Sequence, residues 1–271
     1  TLSLGTIGCN LACRHCQNWG ISRARNVGDL ATAAAPEDIA RLAVAARCDS
    51  VALTYNEPIV WAEYAIDAAL AARARGLAAV AVTAGYVGAR ARADFFGAMD
   101  AANVDLKGFS PRFYRDVCLA GEDAFHAVLD TLRYVRHETR AWLEVTRLLI
   151  PGVNDSDAEI DAGCAWIARE LGPDVPVHFT AFHPTYRMAH LPPTPPSTLA
   201  RARHIGQANG LRFVYGGNVA DREAQSTRCR GCGLVVIERS GFSVLARRLD
   251  AAGRCTRCGT EVPGRFAGPV A

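Results

Sequence analysis

Short apolar or β-branched runs alternate along most of the chain with longer stretches of helical period, the pattern of β/α units built around a parallel sheet. Strands are predicted at 2–7, 50–55, 78–83, 104–107, 141–149, 177–181 and 211–215. Helix starts are marked by Pro36-Glu37-Asp38, Asn56-Glu57-Pro58 and Asp155-Ser156-Asp157, and Arg75-Gly76 marks a stop. The expected fold is α/β: six repeats and a trailing seventh strand, forming a partial (β/α)6 barrel over residues 1–221. The prolines at 192, 193, 195 and 196 predict a stiff loop over the barrel rim. Near 220–228 the alternation gives way to a segment rich in Arg, Gly and Cys, so a second, metal-stapled module is expected over 222–271.

Composition narrows the partners. With 271 residues, half of them hydrophobic, the chain can bury a core of barrel size. Thirty basic and 27 acidic residues leave a formal charge of +3, which argues against nucleic acid or a membrane surface as the main partner and favours a small-molecule or protein substrate. No apolar run reaches the roughly 18 to 20 residues that cross a bilayer, and the opening TLSLGTIGCN lacks the features of a signal peptide. The cytoplasm is the expected location.

Ten cysteines would suit a disulfide framework if they were spread evenly. Instead Cys9, Cys13 and Cys16 cluster early and Cys229, Cys232, Cys255 and Cys258 cluster late, as metal ligands in a reducing compartment do. Cys48, Cys118 and Cys164 stand apart in apolar contexts and are expected to be small core residues. The C-x3-C-x2-C spacing in the loop after the first strand can wrap a cubane cluster with three thiolates, leaving one iron open to a cofactor or substrate. A zinc site completed by His15 and a group of inert buried thiols fit the same spacing.

In β/α barrels chemistry collects where strands end. Asn56 and Glu57 follow the second strand, where a carboxylate can bind an ammonium or cap the next helix. Asp105 and Lys107 share one face of the fourth strand, as ligand contacts or as an internal ion pair. His183 follows the sixth strand, as a ligand contact or a polar rim residue.

At the other end, C-x2-C-x22-C-x2-C predicts a four-cysteine zinc-ribbon-like module, with hairpin strands at 234–237 and 242–245. Four thiolates also suit iron of the rubredoxin kind. A unit this small needs a metal to hold it together, so the zinc is expected to be structural. Its many arginines raise RNA contact as an alternative, although exposed arginines in an Arg-rich chain are more often solvated surface.

GCNLACRHCQNW resembles the cluster loop of the radical S-adenosylmethionine (SAM) superfamily, with His15 at the aromatic position. The resemblance implies that Cys9, Cys13 and Cys16 ligate a [4Fe–4S] cluster, and that SAM chelates its fourth iron and is cleaved reductively to a 5′-deoxyadenosyl radical. It assigns Asn56 and Glu57 to the GGE-like motif. In the pyruvate formate-lyase activating enzyme branch, residues matching Asp105, Lys107 and His183 contact SAM. The branch's polar pair near the third strand is replaced here by Val82 and Ala84, and the backbone at 150–154 matches the adenine contact without its usual Glu.

Taken with VALTYNEP, VDLKGF, LLIPGVND, TAFHP, YGGNV and the terminal ribbon, the chain resembles the AmmeMemoRadiSam-system radical SAM enzymes over nearly its whole length. That likeness implies a Memo-type partner, an electron donor such as flavodoxin or ferredoxin, and a further cysteine-bearing segment ahead of Thr1. A radical SAM enzyme acting on RNA and a non-catalytic metal-binding adaptor are the competing readings.

Overall fold

The computed structural model describes residues 1–26, 28 and 32–266. It divides into two compact units, residues 1–144 with 184–191 and residues 145–183 with 192–266. Seven parallel strands lie in the two units together, β1 (Leu2–Leu4), β2 (Ser50–Leu53), β3 (Ala78–Thr83), β4 (Ala101–Asp105), β5 (Trp142–Leu149), β6 (Val177–Ala181) and β7 (Val214–Gly217).

In the first unit β1 to β4 pair in chain order, with Leu4 opposite Leu53, Val51 opposite Ala79 and Val80 opposite Ala101. Its helices are α1 (Trp19–Ser22), α2 (Pro36–Ala45), α3 (Ala62–Arg73), α4 (Ala89–Gly97), α5 (Pro111–Asp116) and α6 (Ala124–Glu138). Pro36 opens α2 as expected, and the Asp38 carboxylate accepts the Ala35 N–H. Helix α3 begins one 3-10 turn later than its sequence signal suggests, because Glu57 caps Pro58–Trp61 first. Its inner face is Ala65, Ala68, Ala69 and Ala72, all fully buried, and side chains this small let a helix lie close to its neighbours.

β1 is shorter than predicted. At Gly5 a Cβ would lie 2.5 Å from the Thr54 carbonyl oxygen, so only glycine permits this approach and the chain leaves the strand there. β4 begins earlier than predicted, at Ala101, and stops before Lys107. The buried carboxylate of Asp100 accepts the Ala79 N–H at 2.8 Å and carries the chain into register beside β3.

The second unit pairs β5, β6 and β7 in chain order and adds α7 (Asp157–Glu170), α8 (Pro196–Ala208) and α9 (Arg222–Gln225). Ser156 caps α7 by accepting the Glu159 N–H. β7 is displaced toward the C-terminus relative to the prediction and includes Gly216 and Gly217. A Cβ at Gly217 would meet Thr180 at 2.8 Å, so the glycine pair reflects close packing within the sheet and not a turn.

A three-stranded antiparallel sheet ordered β10-β9-β8 follows: β8 (Thr227–Arg228), β9 (Val235–Ser240) and β10 (Ser243–Arg247). Val236, Val262, Cys229 and Cys255 share an apolar cluster with Phe213, and Asp174 accepts Arg212 at 3.0 Å and Arg230 at 3.3 Å. Among the described residues no helix is long and apolar enough to cross a membrane. All ten cysteines carry free thiols. Cys118 and Cys164 are buried as expected, whereas Cys48 is only partly covered, in the turn that ends α2.

Candidate active site

The loop that carries the first three cysteines is tied down by asparagines. Asn56, at the end of β2, donates to the Gly8 carbonyl at 2.7 Å and accepts the Thr6 N–H at 3.2 Å. Asn10 donates to the Tyr86 carbonyl at 2.7 Å, and Asn18 to the Tyr55 carbonyl at 2.6 Å. The loop is thereby held to the ends of β2 and β3. The Leu11 N–H donates to Cys9 Sγ at 3.4 Å, and Cys16 Sγ donates to Ser22 at 3.7 Å. A second clamp comes from the segment after α5, where the carbonyls of Cys118 and Val117 accept the Ala12 and Arg14 N–H groups at 3.0 and 2.9 Å. From residues 184–191, the Arg187 N–H reaches the Arg14 carbonyl at 3.1 Å, and Tyr186 stacks on Trp19 with ring centroids 5.2 Å apart.

Glu57 is buried and fully engaged. Its Oε1 accepts the Thr83 hydroxyl at 2.5 Å and the Ile59 N–H at 3.2 Å, and its Oε2 accepts the Ala84 N–H at 2.7 Å. Burial pushes its pKa up, and the bonds from Thr83, Ala84 and Ile59 act against that rise. The capping role is therefore real, and the carboxylate also joins the end of β2 to that of β3. Replacing Glu57 with Ala strands the buried donors of Thr83 and Ala84 and the partly buried Ile59 N–H, and should cost roughly 3 kcal/mol, measured as a lowered urea midpoint. An unchanged midpoint would show that these bonds hold nothing.

Lys107 is the charge that the site shares. Its ammonium lies 2.9 Å from Asp105, and its backbone N–H donates to the buried Tyr114 hydroxyl at 3.3 Å. Burial works to lower its pKa, but Asp105 and the Cys13 sulfur outweigh that and hold it well above its ordinary value. The same positive charge acts on Cys9, Cys13, His15 and Glu57. Burial pushes Cys9 up to about 11, while a hydrogen bond with Cys118 draws Cys13 down.

His15 is buried 6.1 Å from the Phe113 ring, with Nδ1 unpartnered. Burial and then Lys107 push its pKa down to about 3, so it is neutral at pH 7. Because the folded value is depressed below the ordinary 6.5, its contribution to stability is complete above that pH and is lost as the pH falls toward 3. Between roughly pH 7.5 and 5 this amounts to about 2 kcal/mol. His15→Phe should remove that part of the acid sensitivity, as read from thermal melts across the range, and identical pH profiles for the two proteins would refute the assignment.

The first unit thus brings together Cys9, Cys13, His15, Asn56, Glu57, Asp105 and Lys107. His183 lies in the second unit, exposed at the end of β6. Asn154 is also in that unit and is used internally, accepting the Ile150 N–H at 2.7 Å and donating to the Leu148 carbonyl at 2.8 Å. Sequence reasoning missed Asn10, Asn18 and Thr83 as residues that fix the loop. Asparagines beside the cysteines were the available signal for the first two.

The late cysteines form a second centre, with donor atoms of Cys229, Cys232, Cys255 and Cys258 all within 4.8 Å of one another. Cys229 lies 3.6 Å from Cys258 and Cys232 lies 3.7 Å from Cys255. A tetrahedral ion about 2.3 Å from each sulfur sets the sulfurs about 3.8 Å apart, so the group can hold such a metal. The two turns are built alike: the Gly233 N–H donates to the Cys229 carbonyl and the Gly259 N–H to the Cys255 carbonyl, with both glycines at positive φ. Hydrogen bonding with Thr260 comes first in lowering Cys258 to about 6, which favours the thiolate a metal requires.

Comparison with known proteins agrees with this arrangement. The profile of the Radical SAM superfamily matches residues 4–162. An uncharacterized protein of Methanocaldococcus jannaschii is 36% identical over 262 residues, covering 96% of this chain and 77% of that protein. A domain of pyruvate-formate lyase-activating enzyme from Bacteroides vulgatus superposes with a TM-score of 0.54 at 16% identity, over 62% of this chain and 99% of that one. A radical SAM methyltransferase from Sphaerobacter thermophilus gives a TM-score of 0.60 at 17% identity, over 86% and 68%. With the matched profile covering more than half of its length, the α/β fold in place and the four late cysteines gathered in the terminal module, the chain belongs to the radical SAM superfamily.

Proposed function

We propose that Cys9, Cys13 and Cys16 hold a [4Fe–4S] cluster, and that the first unit binds SAM beside it for reductive cleavage and hydrogen abstraction from a small molecule or partner protein. The observation that supports this reading is the cysteine loop held to the ends of β2 and β3 through Asn10, Asn18 and Asn56, with the Lys107 ammonium, paired to Asp105, acting on Cys9, Cys13, His15 and Glu57. Three soft sulfur donors on a tethered loop suit iron and sulfide, and the unpartnered Nδ1 of His15 is the kind of buried polar atom that a bound group satisfies. When bound, the cluster and SAM supply an electron and a 5′-deoxyadenosyl radical.

The chain's own residues supply position and charge. Lys107 offsets negative charge at the cysteine sulfurs, and Asp105 fixes the direction of that ammonium. Asn56 holds Gly8, and with it Cys9, at the end of β2. Glu57 joins the end of β2 to that of β3, which steadies the anchor of the cysteine loop. In the terminal module we assign the metal as structural zinc.

Within the superfamily we infer an activating-enzyme-like activity of the AmmeMemoRadiSam type in the cytoplasm, supplied with electrons by a flavodoxin or ferredoxin and working with a Memo-type partner. Anaerobic reconstitution should yield about four irons and four sulfides per chain, and a dithionite-reduced EPR signal that changes when SAM is added. Zinc alone, with no iron or sulfide, would favour the adaptor reading. Retention of the partner on the immobilised chain tests the Memo-type assignment, and absence of retention counts against it.

A further inference from the structure

The hairpin of β9 and β10 ends in an apolar tip that its own fold does not use. Ser240 pairs with Ser243 across the two-residue turn Gly241-Phe242, in which Gly241 takes φ +58, the positive value that such turns need. The second turn position would accept a polar residue equally well, yet it holds Phe242, which is fully exposed. A bulge between Val244 and Ala246 then takes Leu245 out of the ladder, and Val244 and Leu245 are both more than half exposed. The tip is held in place. The Gly241 N–H donates to Gln225 Oε1 at 2.8 Å, the Arg239 N–H to the Ser226 hydroxyl at 3.1 Å and the Arg239 guanidinium to the Thr227 hydroxyl at 2.8 Å. β10 is an edge of its sheet and, among the described residues, pairs only with β9. Native edges are usually blunted with charges or proline, and β10 has neither between Ser243 and Ala246. A cluster of exposed apolar side chains on such an edge marks an interaction surface.

Charge identifies what covers it. Residues 222–271 carry nine arginines against four carboxylates, a net of +5, whereas residues 1–221 carry 21 basic and 23 acidic side chains. Four thiolates around one divalent ion contribute about −2, which leaves the module positive. Arg222 and Arg248 share Glu238, Arg228 reaches Glu223 and Arg230 reaches Asp174. Arg239, opposite Val244, and Arg247, at the end of β10, have no carboxylate at ion-pair distance among the described residues. We propose that β10 is a docking strand for an extended, acidic segment of a partner protein. The segment adds to the sheet edge through its backbone, covers Phe242, Val244 and Leu245 with apolar side chains, and sets carboxylates beside Arg239 and Arg247. A second copy of this chain does not fit, because joining β10 to β10 would bring two positive modules together. A nucleic acid would find a single ring for stacking, and two aliphatic side chains that offer its bases no hydrogen bond.

The probe is a fluorescein-labelled ten-residue peptide of alternating valine and glutamate, titrated into the full metal-loaded chain and followed by anisotropy and by hydrogen exchange. Saturable binding is expected, about tenfold tighter than that of the valine–lysine counterpart and weaker at high salt. Residues 243–247 should exchange more slowly in the complex. Phe242→Ser combined with Leu245→Ser should weaken binding about tenfold, and Arg247→Glu about threefold to tenfold. These side chains are exposed, so each variant should keep its fold, as checked by unchanged metal content. No saturable binding up to about 1 mM peptide would overturn the proposal. Equal affinity in the wild type and the variants would do the same, as would binding that leaves exchange at 243–247 unchanged. Tighter binding of a ten-nucleotide oligouridylate, weakened by the same substitutions, would give the surface to nucleic acid instead. A wild-type dimer in analytical ultracentrifugation that the Phe242→Ser and Leu245→Ser pair dissociates would give it to a second copy, and either result contradicts the proposal.

Discussion

Single replacement of Cys9, Cys13 or Cys16 by Ala should reduce iron and sulfide after reconstitution to a small fraction of the wild-type content and SAM cleavage to background. Three thiolates are the minimum that leaves one iron open while holding the other three, so removing any one is not a graded change. The loop should survive, because its anchors are backbone groups and the side chains of Asn10, Asn18 and Asn56. Circular dichroism unchanged from the wild type, together with lost absorbance near the sulfur-to-iron charge-transfer bands, is the expected pair of results. Cys48→Ser serves as the control, since Cys48 is partly exposed and far from any cysteine group in sequence, and it should alter neither. A Cys13→Ala protein that retained full iron and activity would remove Cys13 from the ligand set.

The second large effect is expected at the other end of the chain. The apolar cluster of the ribbon is small, and two of its buried members, Cys229 and Cys255, are themselves metal ligands in this account. Structural zinc in modules of this size binds with an apparent free energy of about 10–16 kcal/mol, most of which is folding free energy. Cys255→Ser, or stripping with a strong chelator, should therefore release the metal and open residues 227–262 to protease, with cleavage appearing first in the β9–β10 hairpin. The β1–β7 strands should persist. Mass spectrometry of the fragments and metal analysis check this. A module that stays protease-resistant without metal would show that its contacts with Phe213 and Asp174 suffice.

Periodicity was enough to locate the strands, because each apolar run is short and is followed by a helical stretch with a recognisable start. The edges were harder, for local reasons. β1 stops early where Gly5 meets the Thr54 oxygen, and β4 is drawn back to Ala101 by the buried Asp100, a contact between segments that no local pattern records. The late cysteine spacing was legible because two short turns of fixed length bring Cys229, Cys232, Cys255 and Cys258 to one point. Glu57 shows the opposite case. Its position at a strand end was readable, but its use by Thr83 and Ala84 depends on the neighbouring strand. Cys118 was legible only as a buried thiol, since the bond from the Ala12 N–H to its carbonyl joins parts of the chain more than a hundred residues apart.

The central claim is that this chain cleaves SAM at a cluster held by its first three cysteines. Incubating the anaerobically reconstituted protein with dithionite and SAM, and quantifying 5′-deoxyadenosine by liquid chromatography and mass spectrometry, tests it most directly. The account predicts time-dependent 5′-deoxyadenosine that requires both reductant and Cys9, Cys13 and Cys16. A reconstituted protein with a full complement of iron and sulfide that forms none would contradict it.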